Sequence, residues 1–216
     1  MMRVPRPTVK RTRPYDSTAR RIAAEQRRAR VLDAASVRFT ADGYAATSVA
    51  AVAADAGVSA EMVYKAFGGK PGLVRALWSR ALVGDGPVPA EERSDALPAA
   101  HDEPRDVVAG WARLSMEVAP RAAPVALLVR EAAASDGAAV RLREELDQQR
   151  LERMAHNVAA IHHHLRPGMS VDEARDVLFA LSSPELYEIL VMHQGWSVAA
   201  YADFVRRGIV AELLAD

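Results

Sequence analysis

Residues 47–70, TSVAAVAADAGVSAEMVYKAFGGK, are the stretch that most limits how this chain can fold. Apolar residues recur at helical spacing in the first half, which predicts a short helix with one buried face. These are Val49, Val52, Ala53 and Ala56. Gly57 then tolerates a positive φ, and Ser59 can cap a second helix by accepting the backbone N–H of Met62. The pattern predicts a helix-turn-helix whose second helix enters a DNA major groove, with an ordinary helical hairpin as the alternative.

The charge of the chain is divided unequally, although 28 basic and 28 acidic residues leave no net charge. Residues 1–80 carry 15 Lys and Arg against 6 Asp and Glu, a net charge of +9. Residues 81–216 carry 13 against 22, a net charge of −9. Because the basic part contains the helix pair, the asymmetry favours a protein that presents one end to a polyanion. The alternative is uneven charge with no role.

Composition excludes several classes of protein. The 216 residues include no cysteine, so disulfides, thiolate metal ligands and a cysteine nucleophile are excluded. No apolar run reaches about 18 residues, and no apolar segment follows the basic N-terminus, so neither a transmembrane helix nor a secretory signal is expected. A cytoplasmic protein without a membrane partner is predicted.

No motif predicts an enzyme or a metal site. No serine lies in a G-x-S-x-G turn, and neither a Gly-rich phosphate loop nor paired catalytic carboxylates are found. His162, His163 and His164 are consecutive, so on a helix they point about 100° apart and cannot all bind one ion. We therefore expect a protein that is not an enzyme and has no cofactor and no metal.

The residues around the helix pair resemble the TetR family of one-component repressors. The family pattern is a helix ending in aromatic and glycine residues, a Thr, Gly-Val-Ser at the turn, Tyr-x-x-Phe and a Lys that opens helix 4. The matching positions are Gly43, Tyr44, Thr47, Gly57, Val58, Ser59, Tyr64, Phe67, Lys70 and Leu73. The resemblance covers residues 28–82, about a quarter of the chain. The usual Ser cap and acidic residue of helix 4 are missing, which predicts a looser joint there.

This resemblance implies an all-α fold with two functional parts. The expected ranges are a flexible basic arm (1–20), a three-helix helix-turn-helix DNA-binding domain (21–69) and a helical ligand-binding and dimerisation domain (70–216). Within the second domain, residues 84–104 are rich in Pro, Gly and acidic residues and predict a loop. Apolar periodicity after it predicts separate helices over 106–118 and 121–134.

Several residues of the DNA-binding domain are predicted to contact DNA. By the resemblance, Tyr64 and Lys70 hold phosphates, while Ala60, Glu61 and Lys65 face base edges. A carboxylate at this position is unusual, so Glu61 is expected either to accept from a cytosine N4 amine or to pair with Lys65 four residues later.

Three further residues complete the predicted DNA-binding surface. Thr47 is predicted to cap helix 2 with its hydroxyl near a phosphate, because helix N-termini bind anions. Ser59 caps the recognition helix, and Arg28 lies near the start of helix 1, where it can approach the DNA backbone.

The resemblance also implies a ligand cavity between the middle helices of the second domain. The expected lining is Trp111, Ser115, Met116, Met154, Val158, His162, Phe179, Ser183 and Tyr187. Met and aromatic residues favour an apolar ligand, and no basic cluster among these positions favours a polyanion. The alternative is that these residues are plain core.

Residues 181–197 resemble the stretch through which many TetR-type chains form a dimer from their last long helices. The predicted interface residues are Leu178, Leu186, Ile189, Leu190, Phe204, Val205, Ile209 and Leu213, some of which are core in the alternative interpretation. Together these features predict a homodimeric repressor that binds a palindromic operator in double-stranded DNA and is released by a small, largely apolar effector. The alternatives are a helical ligand-binding or scaffolding protein with a vestigial DNA-binding head, and a helical enzyme.

Overall fold

The computed structural model describes residues 17–86 and 88–215, with Ser17 described by its backbone alone. Most of the predicted basic arm, residues 1–16, lies outside the described residues. Residues 17–20 are helical rather than part of an arm, because no Pro or Gly between Ser17 and Arg20 stops the first helix from extending back.

The described residues form ten α-helices, joined by turns. These are α1 (Ser17–Ala46), α2 (Val49–Ala56), α3 (Ala60–Phe67), α4 (Lys70–Val83), α5 (Ala90–Ala100), α6 (Pro104–Ala132), α7 (Gly137–Ile161), α8 (Val171–Leu181), α9 (Pro184–Tyr187) and α10 (Val198–Leu213). A 3₁₀ turn, His162–His164, follows α7, and a π-helical turn, Glu188–His193, follows α9. Over the described ranges the extended structure is one isolated bridge between Leu165 and Leu214. The all-α prediction is confirmed.

A first core joins the helix-turn-helix to the rest of the chain. Its central side chains from α1–α4 are Val31, Phe39, Val52, Val63, Leu73 and Leu77. Val129 of α6 and Leu142 of α7 belong to the same core. Because α4 packs against α1–α3 and also against α6 and α7, a displacement of α4 would alter its contacts with both sets of helices.

A second core lies between α6, α7, α8 and α10. It contains Val108, Trp111, Val158, Ile161, Leu178, Tyr201 and Leu213. A capping box begins α8: Ser170 Oγ accepts the Glu173 N–H, and a Glu173 carboxylate oxygen accepts the Ser170 N–H. Trp111 of α6 and Tyr201 of α10 belong to this core and also line the cavity described below.

The loop prediction for residues 84–104 is wrong over Ala90–Ala100, which form α5. Glu91 and Glu92 lie in its first turn, where carboxylates interact favourably with the helix dipole. Pro98 is tolerated near the end of the helix, and Ala90 and Ser94 are buried. Composition suggested a loop because the contacts that hold α5 are made with distant helices.

The two helices predicted over 106–118 and 121–134 are one helix, α6, with Pro120 and Pro124 inside it. Each proline removes one helical hydrogen bond. Ala122, Ala123 and Leu127 are buried on the same helix, so packing on its apolar faces keeps it continuous. Among the described residues, no helix has the length and apolar character needed to cross a membrane.

Candidate nucleic-acid interface and ligand cavity

The helix pair α2–α3 is built by its caps and turn as the sequence predicts. Ser59 Oγ accepts the Met62 N–H at 3.2 Å and begins α3. Gly57 has a φ of 66°, in the left-handed region that favours glycine. The Val58 N–H donates to the Ala53 carbonyl at 3.0 Å, which closes the turn.

One face of α3 is anchored and the opposite face is open. Val63 is fully buried beneath the helix. Glu61, Tyr64 and Lys65 are exposed and Ala60 is half-buried, so all four reach solvent. Tyr64 is 57% exposed, which is high for an aromatic side chain that has a core beside it. This arrangement suits a helix that docks into a groove.

Glu61 and Lys65 form no ion pair, although both lie in the described part of the chain and are four residues apart. Glu61 is in the first turn of α3 and Lys65 in its last. The Glu61 carboxylate is therefore free to accept a hydrogen bond from a ligand, as a contact with a cytosine N4 amine would require.

The prediction that Thr47 caps α2 is wrong. Ser48 is the cap, and its Oγ accepts the Ala51 N–H at 3.1 Å. Thr47 is 2% exposed, and its hydroxyl donates to the Gly43 carbonyl at 2.7 Å. The hydroxyl points inward because Gly43, with a φ of 75°, interrupts α1 and leaves a carbonyl without a helical partner.

Lys70 is held by the end of α1. Its Nζ donates to the Tyr44 carbonyl at 2.9 Å and the Ala45 carbonyl at 3.3 Å, and lies 4.5 Å from the centre of the Tyr44 ring. A cation at a helix C-terminus is favourable because the carbonyls there carry partial negative charge. A phosphate contact by Lys70 stays a prediction, and it would have to share the ammonium with these carbonyls.

Arg28 lies against the end of α3. Its guanidinium carbon is 4.4 Å from the centre of the Phe67 ring, and Nη1 donates to the Ala66 carbonyl at 3.5 Å. This packing brings a positive charge beside the exposed face of α3. Its proposed contact with the DNA backbone stays a prediction.

An ion pair fixes α1 against α2. Arg38 Nε donates to Asp55 Oδ2 at 2.6 Å, and Nη2 donates to Oδ1 at 3.1 Å. These hydrogen bonds hold the pKa of the Asp55 carboxyl below its usual range and raise the pKa of Arg38. The bidentate geometry sets how α2 is oriented on α1.

The joint between α3 and α4 is closely packed, not loose. Gly69 has a φ of 109° and provides no side-chain cap. A Cβ at Gly72 would lie 1.5 Å from the Phe67 carbonyl oxygen. Only glycine allows α4 to approach the end of α3 this closely, and we therefore expect a shift of α4 to move α3.

A cavity of about 530 Å³ lies between α4, α5, α6, α7 and the α8–α9 junction. This volume is in the range of small-molecule sites. Its aromatic wall is formed by Trp78, Trp111, Tyr187 and Tyr201. Its polar residues include Ser94, Gln149, Arg150, Arg153 and Asn157.

Five of the nine residues predicted for the cavity line it: Trp111, Ser115, Met154, Ser183 and Tyr187. The prediction is wrong for the other four. Met116 is exposed, and Val158 is buried in the second core. His162 is exposed beyond the end of α7, and Phe179 lies beneath the Arg150 guanidinium at 4.2 Å. Helix phase alone did not separate the cavity face of α7 from its core face.

Sequence analysis missed Trp78, Arg150, Arg153 and Tyr201 as lining residues. The missed signal is on α7, where Arg150, Arg153 and Asn157 share one helical face at spacings of three and four residues. The cavity therefore has more positive charge in its wall than the prediction allowed.

Two contacts tie α4 to α7 beside this cavity. Trp78 Nε1 donates to Gln149 Oε1 at 3.1 Å. Arg75 Nε donates to the Glu145 carboxylate at 2.9 Å, which lowers the pKa of Glu145 and raises that of Arg75. The helix α4, which follows α3 in the chain, is thus also part of the cavity wall.

The predicted dimer residues fall into two groups. Leu178, Val205, Ile209 and Leu213 are buried within the chain's own second core, so their assignment to an interface is wrong. Leu186, Leu190 and Phe204 are half-buried and Ile189 is exposed. The inward face of α10 was mistaken for an interface because an apolar stripe does not show which partner covers it.

An exposed apolar surface lies on the π-helical turn and the residues after it. Ile189 and Met192 are 51% and 53% exposed, and Trp196 is 38% exposed. The Trp196 ring packs edge-on against Phe204, with ring centres 5.9 Å apart. We call Ile189, Met192 and Trp196 the apolar patch. Scattered apolar residues need no explanation, but a cluster of this kind indicates an interface.

Over residues 17–86 and 88–215, no three His, Asp or Glu side chains are placed to hold a metal ion. Within the part of the chain that the structure describes, the buried Trp111 Nε1 also has no hydrogen-bond partner.

Comparison with known proteins agrees with this geometry. Residues 31–77 match the N-terminal domain described as bacterial regulatory proteins, tetR family. No curated protein sequence matches the chain.

Solved structures share the fold over most of the chain. NalD of Pseudomonas aeruginosa, the secondary repressor of the MexAB-OprM multidrug efflux pump, is 20% identical, with 89% of this chain and 99% of NalD covered and a TM-score of 0.66. SmeT, the repressor of the Stenotrophomonas maltophilia multidrug efflux pump SmeDEF, is 19% identical, with coverage of 88% and 91% and a TM-score of 0.65. A complex of SmeT with triclosan gives 19% identity, coverage of 89% and 93%, and a TM-score of 0.68.

Proposed function

We propose that this chain, a TetR-family DNA-binding regulator, acts as a homodimeric repressor that a small ligand releases from its operator. One observation carries the proposal: α4 continues from the DNA-facing helix pair and supplies Trp78 to the wall of the cavity. A ligand in the cavity therefore touches the element that positions α3.

DNA binding is supported by the open face of α3 and by the charge around it. Glu61, Tyr64 and Lys65 are exposed there, and Arg28 packs against Phe67 at the end of the same helix. In a symmetric dimer the two α3 helices would read major-groove faces about 34–36 Å apart. Because phosphate contacts supply much of the affinity, binding should weaken steeply as salt rises.

Dimerisation is proposed through the apolar patch and the half-buried side chains next to it. Phe204 packs against Trp196 of the patch, and Leu186 and Leu190 are half-buried residues of the same segment of the chain. A two-fold interface places the same patch of each chain against its copy, which buries apolar area twice.

Release is proposed as a shift between two arrangements of α4. A ligand can favour the arrangement that does not bind DNA only by its greater affinity for that arrangement. The Trp78–Gln149 hydrogen bond and the closely packed joint at Gly72 are the parts that would transmit the shift. NalD and SmeT are named as repressors and one SmeT structure contains triclosan, which supports a repressor with a ligand here.

The test of DNA binding begins with selection of binding sequences from random double-stranded DNA by the purified full-length chain. A palindromic site is expected, with binding followed by fluorescence anisotropy across salt concentrations. Tyr64→Ala should weaken specific binding about tenfold or more. Arg207→Ala, an exposed basic residue on α10, is the matched control and should bind as the unmodified chain does. No enrichment of any sequence would refute the proposal and favour a vestigial DNA-binding head.

The test of release uses triclosan as the first probe, because SmeT was solved with it. Binding to the protein is measured by calorimetry, and operator binding is measured with and without the compound. The expected result is loss of operator affinity as the cavity fills. Ala119→Phe, which adds volume to the cavity wall, should bind DNA but respond less. Operator binding that is indifferent to a compound shown to occupy the cavity would contradict release.

A further inference from the structure

Arg150 is the most deeply placed charge in the cavity wall. Its side chain is 11% exposed, and its guanidinium lies 4.2 Å from the centre of the Phe179 ring. Burying an ion is costly unless opposite charge and hydrogen bonds compensate it. The hydrogen bonds and the negative charge that the chain supplies to Arg150 compensate this cost only in part.

Three of the five N–H donors of Arg150 have partners. Nη2 donates to the Phe179 and Ser182 carbonyls at 3.2 and 3.3 Å. Nη1 donates to Asp147 Oδ1 at 3.2 Å. Within the described residues Nε and the second Nη1 N–H make no hydrogen bond, and a guanidinium carries five donors. Two donors therefore remain available on a residue that lines the cavity.

The negative charge beside Arg150 comes from Asp147 and Glu185, and both are shared and partly solvated. Glu185 has a side chain 45% exposed and also pairs with Arg130 at 3.5 Å. Asp147 has a side chain 43% exposed and also pairs with Arg143 at 3.6 Å. Burial lowers the pKa of the Arg150 guanidinium, and this effect is larger than the rise in pKa that the charge and hydrogen bond of Asp147 cause. By contrast, the carboxylate partners of Arg75, Arg93 and Arg130 raise the pKa of those arginines.

The acidic residues of the cavity wall are engaged away from Arg150. Glu91 lies 3.6 Å from Arg153, and Glu152 accepts a hydrogen bond from Gln148. Arg153 itself is satisfied by Ser94 and Asn157, among others. Of the two arginines in the wall, Arg150 is thus the one with a deficit of negative charge.

The surroundings of Arg150 are aromatic. Tyr187 and Tyr201 line the same cavity and pack edge-on, with ring centres 5.2 Å apart. Burial raises the pKa of Tyr201 to about 12, so its hydroxyl stays protonated and can donate. A flat apolar body packs on these rings, while an oxyanion can accept from the guanidinium.

We propose that the ligand of this cavity is an aromatic monoanion, an aromatic body bearing one carboxylate or similar oxyanion that Arg150 binds directly. This rests on the proposed function, because it names the class of ligand for the same cavity. It differs from the apolar ligand expected from the sequence by one charged group. A single available guanidinium excludes a polyanion.

The test compares two probes of nearly equal shape, 2-naphthoate and its neutral amide 2-naphthamide. Binding to the full-length dimer is measured by calorimetry at pH 7.5. The unmodified chain should bind the acid about tenfold or more tightly than the amide, since a charge-assisted hydrogen bond is the stronger one. In Arg150→Gln, whose amide can still donate to one carbonyl, this preference should disappear.

Two further variants separate a direct contact from other effects. Arg141→Gln removes an exposed charge from the same helix outside the cavity, away from the Asp147 ion pairs, and should keep the preference. Asp147→Asn removes the competing carboxylate and should increase the preference, which decides the matter even if Arg150→Gln does not fold.

The outcomes distinguish this inference from the proposed function. Equal binding of both probes, or a preference that survives Arg150→Gln, overturns the inference and leaves ligand binding intact. An equal loss in Arg141→Gln, or no gain in Asp147→Asn, also overturns it, because the effect would then be long-range. Failure of both probes to bind at millimolar concentration overturns it together with the ligand-binding part of the proposed function.

Discussion

Thr47 and Ser48 are adjacent hydroxyl residues with different tasks. Ser48 begins α2, whereas the Thr47 hydroxyl is buried and satisfies the Gly43 carbonyl at the interruption of α1. A family motif can therefore require Thr47 for stability, even where the motif is read as a DNA contact.

The substitution Thr47→Val tests this division. It keeps the shape but leaves the Gly43 carbonyl without its donor, so the free energy of unfolding should fall by about 1–3 kcal/mol. Urea unfolding followed by circular dichroism measures the change. Ser48→Ala, which removes a cap, should cost about 1 kcal/mol. Unchanged stability of Thr47→Val with weaker DNA binding would instead assign the hydroxyl to a phosphate.

The free carboxylate of Glu61 predicts an effect on specificity. Because Lys65 does not neutralise it here, Glu61→Ala should relax discrimination at one operator position by about 1–3 kcal/mol, the value of a base contact. Anisotropy competition against single-base operator variants measures this. A change by the same factor for every operator would show that Glu61 acts only by its charge.

Among the elements, α4 depends on a contact that a single methyl group abolishes. At Gly72 a Cβ would lie 1.5 Å from the Phe67 carbonyl oxygen. Backbone cannot yield as a flexible side chain does, so α4 must move away from α3. The joint that connects the two functional parts is thus set by the absence of a side chain.

Gly72→Ala should destabilise the chain by about 1–3 kcal/mol and weaken operator binding beyond what stability explains, because overpacking displaces α4. Thermal unfolding and anisotropy measure the two effects. Gly137→Ala is the matched control, since a Cβ there has nothing within 4 Å. Operator affinity retained in Gly72→Ala would show that α3 does not follow α4.

The short helix α5 is held from a distance by Glu117 of α6. Arg93 Nη2 donates to Glu117 Oε2 at 2.6 Å, and the Asp85 N–H donates to the same oxygen at 3.1 Å. The Arg93 hydrogen bonds chiefly, and then the Asp85 N–H, lower the pKa of Glu117 from 4.5 to about 2. Its folded-state pKa is depressed, so its stabilisation is present above about 4.5 and is lost as pH falls toward about 2.

Glu117→Gln should therefore unfold more easily than the unmodified chain at pH 7. The difference in unfolding free energy should narrow as pH falls below about 4.5, because the unmodified carboxyl then gains a proton on unfolding. Urea unfolding at several pH values measures this. Glu92→Gln, an exposed change on α5, controls for net charge. A difference that does not vary with pH would show that Glu117 acts by packing alone.

At the scale of the whole molecule, the apolar patch predicts the assembly. Met192→Glu places an unpaired charge in the proposed interface, and burying such a charge costs several kcal/mol. The dimer dissociation constant should rise on the order of a hundredfold or more. Sedimentation equilibrium measures it. Val140→Glu, on an exposed position of α7 away from the patch, is the control, and equal dissociation of both variants would move the interface elsewhere.

Charge is also organised at this scale. Residues 1–80 have a net charge of +9 and residues 81–216 a net charge of −9, so the excess positive and negative charges lie in different parts of the sequence. Helical spacing and helix caps act over a few residues, which is why the all-α fold, the α2–α3 turn, the Ser59 cap and the tetR-family match over residues 31–77 were predictable from the sequence. Local hydrogen bonds and the 3.6-residue period are encoded within one turn of helix.

Tertiary packing alone decided the rest. Whether Val205 or Ile209 faces a second chain or its own core depends on α6 and α8, which are distant in sequence. Arg93–Glu117 holds α5 across 24 residues, and α7 directs Arg150 and Met154 into the cavity but Val158 into the core. An apolar stripe or a charged residue does not by itself determine which distant segment will pack against it. Burial is a relation between distant segments, and it exists only once the helices have packed.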